Sequence, residues 1–166
     1  MNICIVGAGY VGLVTAACFA EMGNTVTCVD INATTIEKLT AGTVPIYEPH
    51  LEPLVRRNSQ AGRLLFTTRL GDGIKDALLV FNCVGTPARP DGHSDLEQVF
   101  QMARAVGWQM NDYKIIVNKS TVPVGTAQEV RRIIAEALAE RGVAFEFDVW
   151  PPTPSSSRRA MRSAIS

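Results

Sequence analysis

Apolar residues in this chain gather in short runs separated by longer stretches of helical periodicity. Ile3-Cys4-Ile5-Val6 is a compact apolar run that breaks at Gly7-Ala8-Gly9-Tyr10-Val11-Gly12. An Ala-rich segment, Leu13 to Met22, follows and is closed by Gly23-Asn24. That order predicts a buried strand, a tight turn and a helix. Thr25 to Val29 is a second strand of β-branched residues. Asn32 to Leu39 reads as a helix closed by Gly42. The proline-framed segment Pro45-Ile46-Tyr47-Glu48-Pro49 then enters a short helix running through Arg56, with Pro49 in its first turn. Leu64 to Thr68 is a third strand, and Gly71 to Asp76 a brief helical turn.

Ala77 to Val84 is a nearly unbroken apolar run, as expected of a parallel strand covered on both faces, and it stops at Gly85-Thr86-Pro87. Leu96, Val99, Phe100, Ala103 and Val106 recur at helical spacing between Ser94 and Met110. Lys114 to Asn118 is a fifth strand. Thr126 is placed to cap a helix reaching Glu140, whose apolar stripe is Val130, Ile133, Ile134, Ala137 and Leu138. Gly142 ends it, and Ala144 to Val149 is a sixth strand. Strands alternating with helices predict an α/β fold: a doubly wound, mostly parallel six-stranded sheet with helices on both faces and right-handed crossovers.

The glycine loop adds chemistry to this pattern. Gly7, Gly9 and Gly12 stand between the first strand and its helix, the Rossmann-type arrangement that cradles the pyrophosphate of a dinucleotide. The first glycine permits the turn, the second lets phosphate approach the backbone, and the third lets helix and strand pack closely. The helix start adds free N–H groups and partial positive charge facing the anion. Asp30 closes the second strand, 18 residues beyond Gly12, where such a fold places the carboxylate that binds the adenosine ribose hydroxyls. An acid there favours NAD, because it repels the extra phosphate of NADP. The alternative use of Asp30 is to cap the next helix.

A length of 166 residues suits one domain with a real core. Sixteen basic residues balance sixteen acidic ones, so no overall field points to nucleic acid or an anionic membrane. No apolar run reaches spanning length, and the chain begins on a strand without a basic leader, so a cytoplasmic protein is expected. Cys4, Cys18, Cys28 and Cys83 all fall in core-like runs without C-x-x-C spacing. They read as small buried hydrophobes rather than as a metal site or a disulfide.

Five blocks of the chain resemble the UDP-glucose/GDP-mannose dehydrogenase family. They are Gly7-Ala8-Gly9-Tyr10-Val11-Gly12-Leu13; Asp30; Pro45 to Pro49; Val84-Gly85-Thr86-Pro87 with Asp91-Gly92 and Asp95; and Ser120-Thr121-Val122-Pro123-Val124-Gly125-Thr126. They occur in family order across residues 1–149. Two positions depart: His50 stands where the family usually has glycine, and Thr35 where many members carry a lysine close to the cofactor.

The resemblance implies an enzyme that oxidises the C6 hydroxymethyl of a nucleotide sugar to a carboxylate, UDP-glucose to UDP-glucuronate in its best-matching branch. It implies two NAD-dependent hydride transfers through a thiohemiacetal and thioester on a cysteine. By motif, Gly7, Gly9, Tyr10, Val11 and Gly12 fall at the pyrophosphate and Asp30 at the adenosine ribose. Thr86 and Thr121 fall at the nicotinamide, with Thr121 also helping to position the water that opens the thioester. Capping of strand-to-helix turns is the other use open to both threonines. GDP-mannose and UDP-N-acetylmannosamine dehydrogenases, or a non-catalytic dinucleotide-binding module, are the alternative readings.

From Trp150 to Ser166 the composition changes to Pro, Ser and Arg, with no acid and no apolar periodicity. On composition alone this is a flexible basic tail. Yet one synonymous codon string for these residues, read one register over, spells V-A-S-N-P-E-F-L-K-E-G-D-A-I-S-D-F. The family carries an N-P-E-F-L-x-E-G motif at this point. Residues 150–166 are therefore expected to be a disordered, frameshifted tail behind an NAD-binding domain of residues 1–149. The family's catalytic cysteine, lysine and aspartate, its dimer-forming helix and its sugar-binding domain would lie beyond. The chain alone is then expected to bind NAD without turning over a sugar.

Overall fold

The computed structural model describes residues 1–150; the expectations for residues 151–166 lie outside the described residues. Six strands form one sheet: β1 (Asn2–Val6), β2 (Thr25–Val29), β3 (Leu64–Thr67), β4 (Leu79–Asn82), β5 (Lys114–Asn118) and β6 (Phe147–Trp150). Their order is β3-β2-β1-β4-β5-β6, and every neighbouring pair is parallel. The connections carry α1 (Tyr10–Glu21), α2 (Ala33–Thr40), α3 (Leu51–Gln60), α4 (Leu70–Ile74), α5 (Glu97–Gln109) and α6 (Thr126–Glu140). The order reverses between β1 and β4, so the loops leaving these two strands part and open a crevice.

Alternation along the strands divides the core in two. Ile3 and Ile5 of β1 join Val26, Cys28, Leu64 and Phe81 against Leu13, Ala16, Ala17 and Ala20 of α1, with Leu39, Leu51 and Val55 of α2 and α3. Cys4, Val29, Val80, Ile116 and Val149 face the other way, onto Ile74 of α4, Val99 and Val106 of α5, and Val130 and Ile134 of α6. Full burial of a Val, Ile or Leu side chain contributes about 1.5–3 kcal/mol. That exceeds the few tenths separating strand from helix preference, so burial on two faces holds these four- and five-residue strands in place.

Several boundaries differ from the sequence expectation, each for a physical reason. The first helix starts at Tyr10 rather than Leu13, because Gly12 sits inside it against the glycine turn. Pro49 lies before the third helix, which begins at Leu51 and continues past Arg56 to Gln60. Thr126 does not cap α6. Gly125 holds the cap position, and the Thr126 hydroxyl instead donates to the Pro123 carbonyl at 2.8 Å. The sixth strand begins at Phe147 rather than Ala144 and takes in Trp150, which pairs with Val117.

His50 is the one non-glycine residue with positive φ among the described residues, at φ 67°, immediately before α3. The left-handed conformation costs an L-residue about 1–2 kcal/mol, partly offset by the greater freedom glycine would regain on unfolding. His50→Gly is expected to stabilise the domain by about 1 kcal/mol, raising the melting temperature by about 2–4 °C. An unchanged or lowered melting temperature would mean that His50 makes compensating contacts.

Candidate functional site

The loops leaving the carboxyl ends of the strands enclose a cleft of about 1090 Å³. Its floor is the glycine turn. Gly7 has φ 103°, and a Cβ there would lie 2.7 Å from the Cys83 carbonyl oxygen at the end of β4. At Gly12 a Cβ would fall 1.8 Å from the Gly7 carbonyl oxygen. At Gly9 it would meet no atom within 4 Å. Two glycines are thus required by the protein's own packing, while the third fronts open space at the N-terminus of α1. Gly7, Gly9, Tyr10 and Val11 line the cleft; Gly12 is buried beneath it.

Asp30 lines the same cleft, one residue past β2. Its Oδ2 accepts from the Ala8 N–H at 2.7 Å and its Oδ1 from the Asn32 N–H at 2.9 Å. The carboxylate therefore clamps the middle of the glycine turn to the end of β2. Helix capping falls instead to Asn32, whose side chain accepts from the Thr35 N–H at 3.1 Å. Thr35 makes that cap contact and does not line the cleft.

The opposite wall comes from β4 and β5. Asn82 is fully buried; its amide donates to Asn118 Oδ1 at 3.2 Å, and its carbonyl accepts from the Lys119 N–H at 2.9 Å. The Ser120 hydroxyl donates to the Val84 carbonyl at 2.7 Å, and the Thr86 hydroxyl to the Thr121 carbonyl at 3.2 Å. These bonds stitch the two strand ends together and bring Thr86 and Thr121 to one rim. Neither threonine is the N-cap residue of a helix.

Sequence motifs missed part of this lining. Arg69, Asp72, Gln98, Gln101, Met102 and Lys119 also face the cleft. Lys119 adjoins the Ser120–Thr126 block, whereas Asp72 falls in the Gly71–Asp76 segment expected only to be a helical turn and Arg69 lies just before it. Of the cysteines only Cys83 lines the cleft, and burial pushes its thiol up to about 11 even though Lys119 pulls it down. Burial pushes Cys4 up to about 12 and Cys28 further still, while Cys18 is exposed on α1. Correcting the expectation of four buried cysteines, iodoacetamide at pH 8 is expected to label Cys18 alone in the native protein, and the other three only after unfolding. Peptide mapping reads this directly, and native labelling of Cys83 would show an open, ionisable thiol in the cleft.

The Pro45–Pro49 segment folds back onto the glycine loop. Ile46 packs against the α1 core, and the Tyr10 hydroxyl donates to Glu48, an interaction that raises the Tyr10 pKa.

The profile of the UDP-glucose/GDP-mannose dehydrogenase family, NAD binding domain, matches residues 1–154. The chain belongs to this family. It is 51% identical over 149 residues to the UDP-glucose 6-dehydrogenase of Pseudomonas aeruginosa, covering 90% of this chain and 33% of that relative. Among solved structures, the GDP-mannose dehydrogenase of Pseudomonas aeruginosa superposes with a TM-score of 0.84 at 34% identity, over 90% of this chain and 35% of that one. A UDP-glucose dehydrogenase from Pyrobaculum islandicum gives 0.81 at 38% identity, over 89% and 34%. The chain thus spans about a third of the length of the relatives it matches. The cleft of this family member is that of an NAD-binding domain, and the doubly wound parallel sheet is the family's fold. Among the described residues no helix is long and apolar enough to cross a membrane.

Proposed function

We propose that this chain is the NAD-binding domain of a UDP-glucose 6-dehydrogenase. The observation that carries the reading is the unequal space at the three glycines: none at Gly7 and Gly12, and open cleft at Gly9. A pyrophosphate fits against Gly9 and the backbone N–H groups of Tyr10 and Val11, which begin α1. Gly7 and Gly12 shape that cradle, and Asp30 receives the adenosine ribose hydroxyls with lone pairs left over from its two backbone bonds. Thr86 and Thr121 hold the nicotinamide end, and Thr121 orients the water of the hydrolytic step. Bound there, NAD would supply the hydride acceptor for oxidation at C6 of a nucleotide sugar, while the protein supplies position and electrostatics.

The choice of UDP-glucose over GDP-mannose or UDP-N-acetylmannosamine is supported by the 51% identity to a UDP-glucose 6-dehydrogenase. Its nucleotide-sugar substrate, its covalent cysteine chemistry and its homodimer belong to parts outside the described residues. The raised thiol pKa of Cys83 makes it a poor nucleophile at neutral pH. A cytoplasmic place accords with three buried free thiols. We read the residues after Val149 as the product of a register shift in the gene, supported by the N-P-E-F-L-K-E-G string in the neighbouring frame. DNA sequence across the Val149 codon tests this, and an uninterrupted frame with unrelated codons overturns it.

Calorimetry on the 166-residue chain is expected to show NAD binding, and an absorbance assay with UDP-glucose to show no NADH formation. No heat at millimolar NAD would reject the cofactor site. Steady turnover would reject the assignment of the covalent chemistry to other parts of the enzyme.

A further inference from the structure

Charged residues at the adenosine end of the cleft form an arrangement that NAD binding alone does not require. Asp30, Arg69 and Asp72 all line it. The Asp30 N–H donates to the Thr67 carbonyl at 3.2 Å, so the ends of β2 and β3 run side by side there. Two residues on, the Arg69 N–H is anchored by the Thr67 hydroxyl at 3.1 Å. The backbone of Arg69 is thereby fixed at the rim beside Asp30 while its side chain remains 80% exposed.

The two charges are held very differently. Each oxygen of Asp30 accepts a backbone N–H bond, so its carboxylate cannot swing away. Among the described residues, the Arg69 guanidinium is bonded only through Nε, to Asp72 at 2.7 Å. Exposed ion pairs of this kind are weak, and both terminal amino groups stay available for a forked contact to phosphate.

We propose that Arg69 is a latent ligand for a 2′-phosphate, and that Asp30 alone keeps this cleft selective for the unphosphorylated dinucleotide. The inference rests on the reading that the adenosine ribose sits at Asp30. A 2′-phosphate placed there meets a fixed negative charge at the position where the neighbouring strand end offers an arginine. Arg69 supplies a cation at this end from the turn that follows β3, directly before α4.

The test uses the full 166-residue chain and calorimetry with NAD, NADP, 5′-AMP and 2′,5′-ADP. The wild type is expected to bind NAD, with NADP and 2′,5′-ADP at least about tenfold weaker than their unphosphorylated counterparts. In Asp30→Ser, 2′,5′-ADP is expected to bind at least about tenfold more tightly than in the wild type, with an affinity that falls as salt rises. Adding Arg69→Ala removes that gain. Asp30→Asn, which keeps an oxygen for the Ala8 N–H, repeats the experiment if the serine variant does not fold. A gain that survives Arg69→Ala overturns the proposal, and so does the absence of any gain in a variant that still binds 5′-AMP. Failure of the wild type to bind NAD at all overturns the cofactor reading itself, and this inference with it.

Discussion

Gly12→Ala is expected to destabilise the domain by about 3 kcal/mol or more, lowering its melting temperature by about 10 °C. The added methyl would lie 1.8 Å from the Gly7 carbonyl oxygen, with the carbonyl carbon at 2.9 Å. Both obstacles are backbone, so no rotamer change relieves the overlap and helix α1 must lift from β1. Leu13, Ala16, Ala17 and Ala20 are fully buried on that helix, and displacing it would open the core they share with Ile3 and Ile5. Thermal unfolding followed by circular dichroism measures the effect. A melting temperature within two degrees or so of the wild type would show that the turn relaxes far more cheaply than its geometry implies.

Gly9→Val is expected to do the opposite: leave the fold intact and remove the cofactor. Gly9 has φ −72° and ψ −171°, an extended conformation open to any residue, and its Cβ would meet nothing within 4 Å. Stability should therefore stay within about 1 kcal/mol of the wild type. The valine instead fills the open space at the start of α1 that we propose receives the pyrophosphate. Losing two charge-assisted N–H contacts of about 1.5 kcal/mol each corresponds to a weakening of NAD binding by about a hundredfold or more. Calorimetry beside a melting curve separates the two effects, and unchanged affinity in the folded variant would remove the pyrophosphate from this turn. Together the two substitutions would separate the two physical ends that the glycine motif serves.

Much of this was readable in the chain. Lys114–Asn118 falls where its apolar run places it, and α6 carries its expected stripe to Glu140, although it begins at Thr126, the residue expected to cap it. The run Ala77 to Val84 was less exact, since only Leu79–Asn82 enters the ladder. Ala77 and Cys83 are apolar because they are buried, and burial does not require strand pairing. The start of α1 was misplaced because a glycine inside a helix looks like a break until the strand packed against it is known.

The site shows the same division. Gly7, Gly9, Gly12 and Asp30 are legible because their positions are set by local backbone demands at fixed spacing. That Asp30 bonds Ala8 rather than capping a helix was not, since the bond joins residues 22 apart and depends on two strands lying side by side. Nor was the placing of Arg69 beside it. An arginine in a polar turn carries no signature, and it becomes meaningful only when β3 packs next to β2.

The sequence by itself determined that this is a parallel α/β domain built on a dinucleotide loop, because periodicity and glycine spacing are short-range properties of the chain. Tertiary structure alone decided which glycine fronts the open cleft and which packs against protein, which polar residues cap and which line the cleft, and which cysteine is exposed. Those properties depend on what other segments bring to the same place, and strand order, not residue order, governs that.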